Sequence, residues 1–321
     1  MKKFFNFVLI FTMISTLFAG CGSDTKTAKT TQQTFVNIAT GGTAGTYYPL
    51  GGALADILNK NIEGVNASAQ STGGSVANIN LLSQGKVDIA FVQNDIAFYA
   101  ANGKEMFKDK KVADLKGIAT LYPETIQIVT LADSGIKTVA DMKGKKIAVG
   151  AAGSGTEANA RQILEANGLT YDDVDVQYLS FGEAASALKD GNVDVGFVTA
   201  GFPTAAIQDV STRHDIVLVA VPTDTADKLI AKYPYYTKVE IPAKTYNKQD
   251  EAVKAVAVKC MLVTSSKMSE KLGYDLTKAL FTNLDRMRAA HSSAKFISKE
   301  TAKDGMPISL NAGSMKYLES K

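Results

Sequence analysis

The sequence predicts an α/β protein built from two similar lobes, and three observations support this fold class. Residues 82–92 and 188–198 resemble each other, because each runs from the end of a helix through a glycine into a short apolar strand. Residues 35–40 and 145–149 each form an apolar strand that enters a Gly/Ser/Thr loop and then a helix with one apolar face. Strands and helices therefore alternate, which indicates parallel sheets with right-handed crossovers.

The N-terminal segment has the pattern of an export signal. Two lysines precede a short apolar run that ends in small residues directly before Cys21. This position of Cys21 resembles a lipobox, which predicts a lipoprotein signal peptide over residues 1–20 and lipidation of Cys21. Phe18 departs from the usual aliphatic residue, so an ordinary signal with an incidental cysteine stays open. Residues 21–34 are rich in Thr, Ser, Gln and Lys and predict a flexible tether.

The two repeated units predict the boundaries of the lobes. Residues 35–126 together with 262–321 are expected to form lobe 1, and residues 127–261 are expected to form lobe 2. These bounds place one α/β unit in each lobe.

Two apolar runs outside the repeats predict the connection between the lobes. Residues 126–131 and 256–263 are interpreted as crossover strands. A helix with leucines along one stripe over residues 272–287 is expected to pack back onto lobe 1. Cys260 lies within the second apolar run, where a buried core thiol is the simplest interpretation.

Composition and charge exclude several classes of protein. The chain has 321 residues, of which 45% are hydrophobic and 21% charged, as is typical of soluble globular proteins. A formal charge of +3 without a dense basic block argues against binding of nucleic acid. Two cysteines and two histidines offer little for a disulfide framework, a zinc site or Ser-His chemistry. We therefore expect no enzyme, no cofactor and no metal.

Candidate ligand loops follow strands in both units. At the carboxyl ends of parallel strands, loops meet helix N-termini, which is where such sheets bind ligands. Glycines allow close approach to the backbone, hydroxyls form hydrogen bonds, and helix starts offer free N–H groups. This chemistry suits a carboxylate or another small anion, although the same residues are ordinary turn and capping residues. The loops comprise residues 42–48, 71–75 and 93–95 in the first unit, and 153–156, 180–182 and 199–203 in the second.

Residues 153–158 also fit a weak dinucleotide fingerprint. The pattern G-x-G-x-x-A stands between a strand and a helix, with Asp172, Asp173 and Asp175 about twenty residues further on. An exported protein would meet little NAD, which disfavours this interpretation. An exported dinucleotide-binding enzyme, and a surface antigen that uses the same fold without transport, remain the alternatives to a binding protein.

Six motifs together resemble the TAXI-type solute receptors of TRAP transporters. The resemblance extends over nearly all of residues 35–315. The motifs are ATGGTAGTYYPLGGALA (39–55), STGGSVANI (71–79), VDIAFVQND (87–95), LYPE (121–124), VGAAGSGTEANARQIL (149–164) and IPAKTY (241–246).

This resemblance implies a type II periplasmic-binding-protein fold, with two α/β lobes, a two-strand hinge and a ligand cleft between the lobes. It implies transfer of the solute to a separate TRAP membrane permease that uses an ion gradient and no ATP. The ligands of the family are small carboxylates, with glutamate or a related amino acid the commonest expectation.

The motifs also imply which residues bind the ligand. The first unit and the segment before the hinge would contribute Thr43, Gly45, Thr46, Tyr47, Thr72, Gly73, Gly74, Ser75, Gln93, Asn94, Asp95 and Glu124. The second unit would contribute Ser154, Gly155, Thr156, Thr199, Gly201 and Phe202.

The charged residues of this set are few. None of the four arginines of the chain falls on a candidate loop, so N–H groups, hydroxyls or a lysine would hold a carboxylate. Glu124 or Asp95 could face an amino group, although either is equally compatible with a solvated or capping role. The sequence thus predicts a monomeric extracytoplasmic receptor, either lipid-anchored at the outer face of the cytoplasmic membrane or periplasmic.

Overall fold

The structure is a computed structural model that describes residues 33–320. The predicted signal peptide, Cys21 and nearly all of the predicted tether lie outside these residues. No helix within residues 33–320 is both long and apolar enough to cross a membrane.

The described residues contain ten strands and ten α-helices. The strands are β1 (Thr34–Ala39), β2 (Val65–Gln70), β3 (Ile89–Gln93), β4 (Leu115–Leu131), β5 (Lys146–Ala148), β6 (Asp175–Gln177), β7 (Val195–Ala200), β8 (Ile216–Leu218), β9 (Thr237–Ile241) and β10 (Val253–Ser265). The helices are α1 (Tyr47–Asn61), α2 (Ser75–Ser83), α3 (Asn94–Asn102), α4 (Gly155–Ala166), α5 (Phe181–Lys189), α6 (Ala205–Ser211), α7 (Thr223–Lys232), α8 (Glu270–Thr282), α9 (Leu284–Ala290) and α10 (Ala312–Glu319).

All ten strands belong to one mixed sheet with the order β2-β1-β3-β10-β4-β7-β5-β6, in which β8 pairs with β4 and β9 with β10. β1 is parallel to β2 and β3, and β5 is parallel to β6 and β7. β10 and β4 run antiparallel to each other and to their outer neighbours β3 and β7. We call β1–β3 with α1–α3 the first half, and β5–β7 with α4–α6 the second half. The two halves repeat the same element order, as the sequence predicts.

The two crossover segments are parts of longer strands. β4 and β10 pair with each other from Ala257 and Thr125 to Ser265 and Leu115, with two irregularities in the register. Each of the two strands extends beyond this ladder into pairs with β7, β8 or β9 of the surrounding chain. The halves are therefore joined by continuous strands, and the lobe boundaries at residues 126 and 262 stay a prediction.

The C-terminal stripe forms two helices, whereas the sequence predicted one. α8 ends at Thr282 and α9 begins at Leu284, and the side chain of Asn283 donates to the Ala279 carbonyl oxygen at 2.8 Å. An asparagine that bonds the backbone in this way competes with the continuing helix. Both helices pack against α1, and Leu276, Leu280 and Met287 share one buried cluster with residues of α1.

The central strands are buried on both faces. Every residue of β3 and of β7 is buried, as expected for parallel strands covered by helices on each side. Cys260 is fully buried in β10, which confirms the prediction of a core thiol. The sheet thus provides a rigid base for the loops at its carboxyl ends.

Candidate functional site

A cavity of about 60 Å³ free volume lies where loops of both halves meet. This volume is enough for a few water molecules or for part of a small solute. The loops follow β1, β2, β3, β5, β6 and β7, so the cavity lies at the predicted end of the sheet. Its lining residues are Gly41, Gly42, Gly45, Thr46, Tyr47, Thr72, Gly73, Gly74, Ser75, Gln93, Glu124, Ala151, Ser154, Gly155, Thr156, Ser180, Phe181, Thr199 and Ala200.

Four helices begin at the cavity wall, two from each half. α1 and α2 start after Thr46 and Gly74, and no side chain caps either start. α4 and α5 start after Ser154 and Ser180, whose hydroxyls accept hydrogen bonds from N–H groups of the first turn. The first N–H groups and the dipoles of four helices therefore give the cavity a positive potential, which favours an anionic group.

Two glycines allow this convergence. Gly74 has a φ of +102°, a conformation that residues with a side chain rarely adopt. Gly155 packs directly on the amide of Gln93, and a Cβ atom at position 155 would overlap the Gln93 Oε1 atom. The start of α4 thus touches the end of β3 across the two halves.

Three residues that line the cavity carry a buried polar atom without a hydrogen-bond partner among the described residues, and we call these three atoms the floor of the cavity. They are the Glu124 Oε1, Gln93 Oε1 and Tyr47 hydroxyl oxygen atoms; within residues 33–320 none of them forms a hydrogen bond of ordinary geometry, although Tyr47 and Gln93 lie near enough to act on the Glu124 carboxyl group. Glu124 is 1% exposed, and its place in β4 opposite Val258 of β10 fixes its backbone. Burial raises the pKa of Glu124 to about 8, although Tyr47, Cys260 and Gln93 favour its charged form. Such unpartnered groups are costly unless a ligand or water completes them.

The two halves contact each other on opposite sides of the cavity. The Ala77 N–H donates to the Gly153 carbonyl oxygen at 3.0 Å, and the Ala206 N–H donates to the Ala44 carbonyl oxygen at 3.3 Å. The Thr46 hydroxyl donates to a further backbone oxygen of the second half, that of Gly201, at 3.3 Å. Hydrogen bonds between the two halves therefore flank the cavity.

Thirteen of the eighteen residues predicted at the ligand site line this cavity. They are Gly45, Thr46, Tyr47, Thr72, Gly73, Gly74, Ser75, Gln93, Glu124, Ser154, Gly155, Thr156 and Thr199. The structure brings these residues together, and ligand contact by each of them stays a prediction.

The other five predicted residues lie outside the lining. Thr43 is exposed at the loop tip, and the Gly201 carbonyl oxygen accepts hydrogen bonds from two threonines. Phe202 is half-buried, and the peptide bond that joins it to Pro203 is cis. Asn94 and Asp95 begin α3, where their side chains turn towards β10 and α4.

Six lining residues were missing from the predicted set. Gly42, Ser180, Phe181 and Ala200 lie in loops that the sequence pattern had marked, so a wider selection within those loops would have included them. Gly41 precedes the first loop. Ala151 has no functional group, and nothing in its residue type indicates a site.

The glycine-rich part of the dinucleotide pattern lines the cavity with Ser154, Gly155 and Thr156, whereas its three aspartates do not reach it. Asp173 caps a short helical turn and forms an ion pair with Lys143 at 3.2 Å. Asp172 and Asp175 are also absent from the lining. Among the described residues, no group of three or more His, Cys, Asp or Glu side chains could hold a metal ion.

The fold is that of a two-lobed type II periplasmic binding protein. PhnD1 from Prochlorococcus marinus (MIT 9301), solved with methylphosphonate, has a TM-score of 0.56 at 10% identity, covering 82% of this chain and 91% of that chain. The alkanesulfonate-binding protein SsuA from Xanthomonas axonopodis pv. citri, bound to MOPS, has a TM-score of 0.51 at 16% identity, covering 88% and 83%. At these identities the likeness concerns the fold.

The chain belongs to the NMT1-like family, whose model matches residues 38–321. A protein of Escherichia coli (strain K12) that is named for binding aliphatic sulfonates is 36% identical over 78 residues. That match spans 24% of this chain and 24% of the relative.

Proposed function

We propose that the protein is an extracytoplasmic receptor for a small carboxylate that also bears an amino group, glutamate or a related amino acid. The relatives described above are binding proteins and no enzymes, in agreement with the expectation that this chain is no enzyme. The unpartnered acceptors on the cavity floor are the observation that carries the choice of ligand.

The helix starts support the anionic end of this ligand. No Lys, Arg or His side chain lines the cavity in the described part of the chain. A carboxylate would therefore be bound by N–H groups at the starts of α1 and α2 and by hydroxyls such as those of Ser75 and Thr156. Charge-assisted hydrogen bonds of this kind contribute about 1.5–3 kcal/mol each.

The floor supports the amino end. Glu124 Oε1 and Gln93 Oε1 are acceptors in need of donors, and an ammonium group brings three N–H donors. The positive charge of the ammonium would also favour the ionised form of Glu124 over the protonated form that burial alone produces. An amino acid therefore complements both ends of the cavity.

A receptor for a sulfonate or phosphonate of an ABC-type transporter is the second candidate, which the names of the relatives favour. Such an oxyanion suits the helix starts equally well. It brings only acceptors to the floor, however. A protonated Glu124 could donate its proton to one oxygen atom of the oxyanion, but Gln93 Oε1 would remain without a donor.

Calorimetry with matched ligands separates the two candidates. L-glutamate, glutarate and ethanesulfonate share an anionic end, and only glutamate carries the ammonium. We expect glutamate to bind at least about tenfold more tightly than glutarate, since about 1.4 kcal/mol of differential binding gives that ratio. Tighter binding of ethanesulfonate than of glutamate would reverse the ranking.

We also propose that the receptor delivers its ligand to a TRAP-type permease. This rests on the resemblance of the six motifs to TAXI-type receptors. In vesicles that contain the permease, an ion gradient without ATP should drive receptor-dependent uptake. Uptake that requires ATP hydrolysis would instead assign the receptor to an ABC-type transporter.

Lipidation of Cys21 would hold the receptor at the membrane. One acyl chain anchors a protein marginally, whereas two or more anchor it stably. Cys21→Ala should move the protein from the membrane fraction to the soluble fraction with its ligand affinity unchanged. A wild-type protein that is wholly soluble in its native host would exclude the anchor.

A further inference from the structure

Asn159 on α4 is a fully buried amide at the centre of a polar network behind the cavity. Its Nδ2 atom donates to Asp95 Oδ2 at 3.1 Å and to the Tyr236 hydroxyl at 2.8 Å. Its Oδ1 atom accepts from Gln93 Nε2 and from the Thr199 hydroxyl, each at 3.1 Å. All hydrogen-bonding positions of the amide are therefore used.

The four partners come from different parts of the fold. Gln93 ends β3 and Asp95 begins α3 in the first half, whereas Thr199 belongs to β7 in the second half. Gln93 and Thr199 also line the cavity, and Asn159 does not. One amide thus connects a cavity wall of the first half to a cavity wall of the second half.

The network is closed on its far side as well. The Tyr236 hydroxyl donates to Gln162 Oε1 at 2.6 Å, and Gln162 Nε2 donates to the Tyr99 hydroxyl at 3.2 Å. The Asn159 amide itself is fully satisfied, which fixes the arrangement of its partners, whereas Asp95 Oδ1 and Gln93 Oε1 have no partner among the described residues. Only an amide supplies two donors and two acceptor positions here.

We propose that Asn159 is a positioning residue that holds the Gln93 and Thr199 side chains in their places in the cavity wall. It acts through these two side chains and touches no solute. The inference rests on the proposal that the cavity binds a solute, because the effect of Asn159 on affinity can be measured only with a ligand. The effect of Asn159 on the contacts between the two halves can be measured without a ligand.

Asn159→Asp keeps the size of the side chain and removes the donor when ionised. The new carboxylate would then face that of Asp95, and the other titratable groups around Asp95 are Tyr99, Tyr235, Tyr236 and Glu124. Acid would restore one proton to the carboxylate pair and with it one donor. The loss in the variant should therefore be reversed at low pH.

The test compares this variant with Asn167→Asp in the full chain. Asn167 follows the same helix and donates to the Ile163 carbonyl oxygen, away from the cavity. At pH 8, Asn159→Asp should bind L-glutamate about ten- to a hundredfold more weakly than the wild type, and at pH 5 most of this difference should vanish. Asn167→Asp should match the wild type at both pH values.

Hydrogen exchange of the Ala77 and Ala206 amides provides the readout without ligand. Both N–H groups donate across the halves, so Asn159→Asp should exchange them faster than the wild type at pH 8. Equal exchange overturns the proposal, even if glutamate fails to bind and the proposed function fails with it. A folded variant with weak binding at both pH values also overturns it, because lost packing would suffice.

Tyr236→Phe keeps the test decisive if Asn159→Asp does not fold. It deletes one partner of the amide without adding a charge, and Tyr236 does not line the cavity. We expect the same two effects in smaller measure. Wild-type affinity and wild-type exchange in this variant would contradict the proposal.

Discussion

Glu124 is a carboxyl group in the middle of a long buried strand, with no cationic side chain among the groups that act on its pKa. Asp95 is a second such group, fully buried on α3. Burial raises their pKa values to about 8 and about 7, respectively. A fold retains two carboxyl groups of this kind at a cost in stability, which suggests a function for at least one.

We expect Glu124→Gln to weaken binding of L-glutamate by about ten- to a hundredfold, because the ammonium loses a charged acceptor. Glutarate has no ammonium, so its affinity should change little. Calorimetry of both ligands on both proteins measures the difference. Equal losses for the two ligands would show that Glu124 does not face an amino group.

The free energy of unfolding should fall as the pH rises from about 4 to about 8. Both groups have ordinary pKa values near 4.5 and 3.8, and their folded values lie above these. The folded state therefore binds protons that the unfolded state has released in this range, and the fold loses stability as they ionise. Urea unfolding at pH 5 and pH 8 should differ by several kcal/mol, up to about 6 kcal/mol from the two shifts together.

The isosteric double variant Glu124→Gln/Asp95→Asn provides the control for this prediction. It removes both titrations and keeps the hydrogen-bonding shapes, so its stability should depend less on pH than that of the wild type. The same dependence in both proteins would assign the effect to other groups.

Ser75→Ala and Thr156→Ala remove one hydroxyl from each half of the cavity. Each should weaken binding by about ten- to a hundredfold, since in the proposed complex the hydroxyls would donate to the anionic end of the ligand. The Ser75 hydroxyl also accepts from the Gln93 N–H at 3.1 Å, so this variant should lose some stability. A folded variant with unchanged affinity would remove its loop from the ligand site.

At the scale of elements, the helix starts are the functional unit of the cavity. The sequence predicted them because Gly/Ser/Thr loops between a strand and an amphipathic helix recur in both units, although a single such loop is also compatible with an ordinary turn or cap. It could not predict which side chains of each loop face the cavity and which turn away from it. Gln93 ends β3 and faces the cavity, whereas Asn94 and Asp95 already turn with α3.

Other parts of the site left no local signal. Asn159 lies within an ordinary amphipathic helix, and its role depends on four partners that are distant in sequence. The length of β4 was underestimated because Glu124 interrupts its apolar pattern. Tertiary contacts determine both features, and local sequence patterns do not encode them.

Gly155→Ala tests the close contact between α4 and β3. A Cβ atom there would overlap the amide of Gln93, so we expect a loss of affinity of more than about tenfold and some loss of stability. Gly52→Ala within α1 has no neighbour within 4 Å and should stabilise the helix by up to about 1 kcal/mol. Thermal unfolding and calorimetry of both variants check the contrast. Wild-type behaviour of Gly155→Ala would mean that the halves do not approach this closely.

At the scale of the whole molecule, duplication of one α/β unit explains how the site is built. Each unit places two helix starts at the same end of the sheet, and β4 and β10 hold the units side by side. Neither unit alone could surround a solute. Among the described residues, the one carboxyl group that lines the cavity, that of Glu124, comes from a connecting strand outside the repeats, so a ligand would meet different chemistry at its two ends.

Native mass spectrometry of the gently purified full-length protein tests the central claim most directly. We expect one bound species with the mass of a small amino acid or related carboxylate, released on mild activation and retained far less by Glu124→Gln. Its identity can be confirmed by calorimetry with the pure compound. A bound sulfonate or dinucleotide, or the absence of both a bound solute and calorimetric binding to any small carboxylate, would contradict the account.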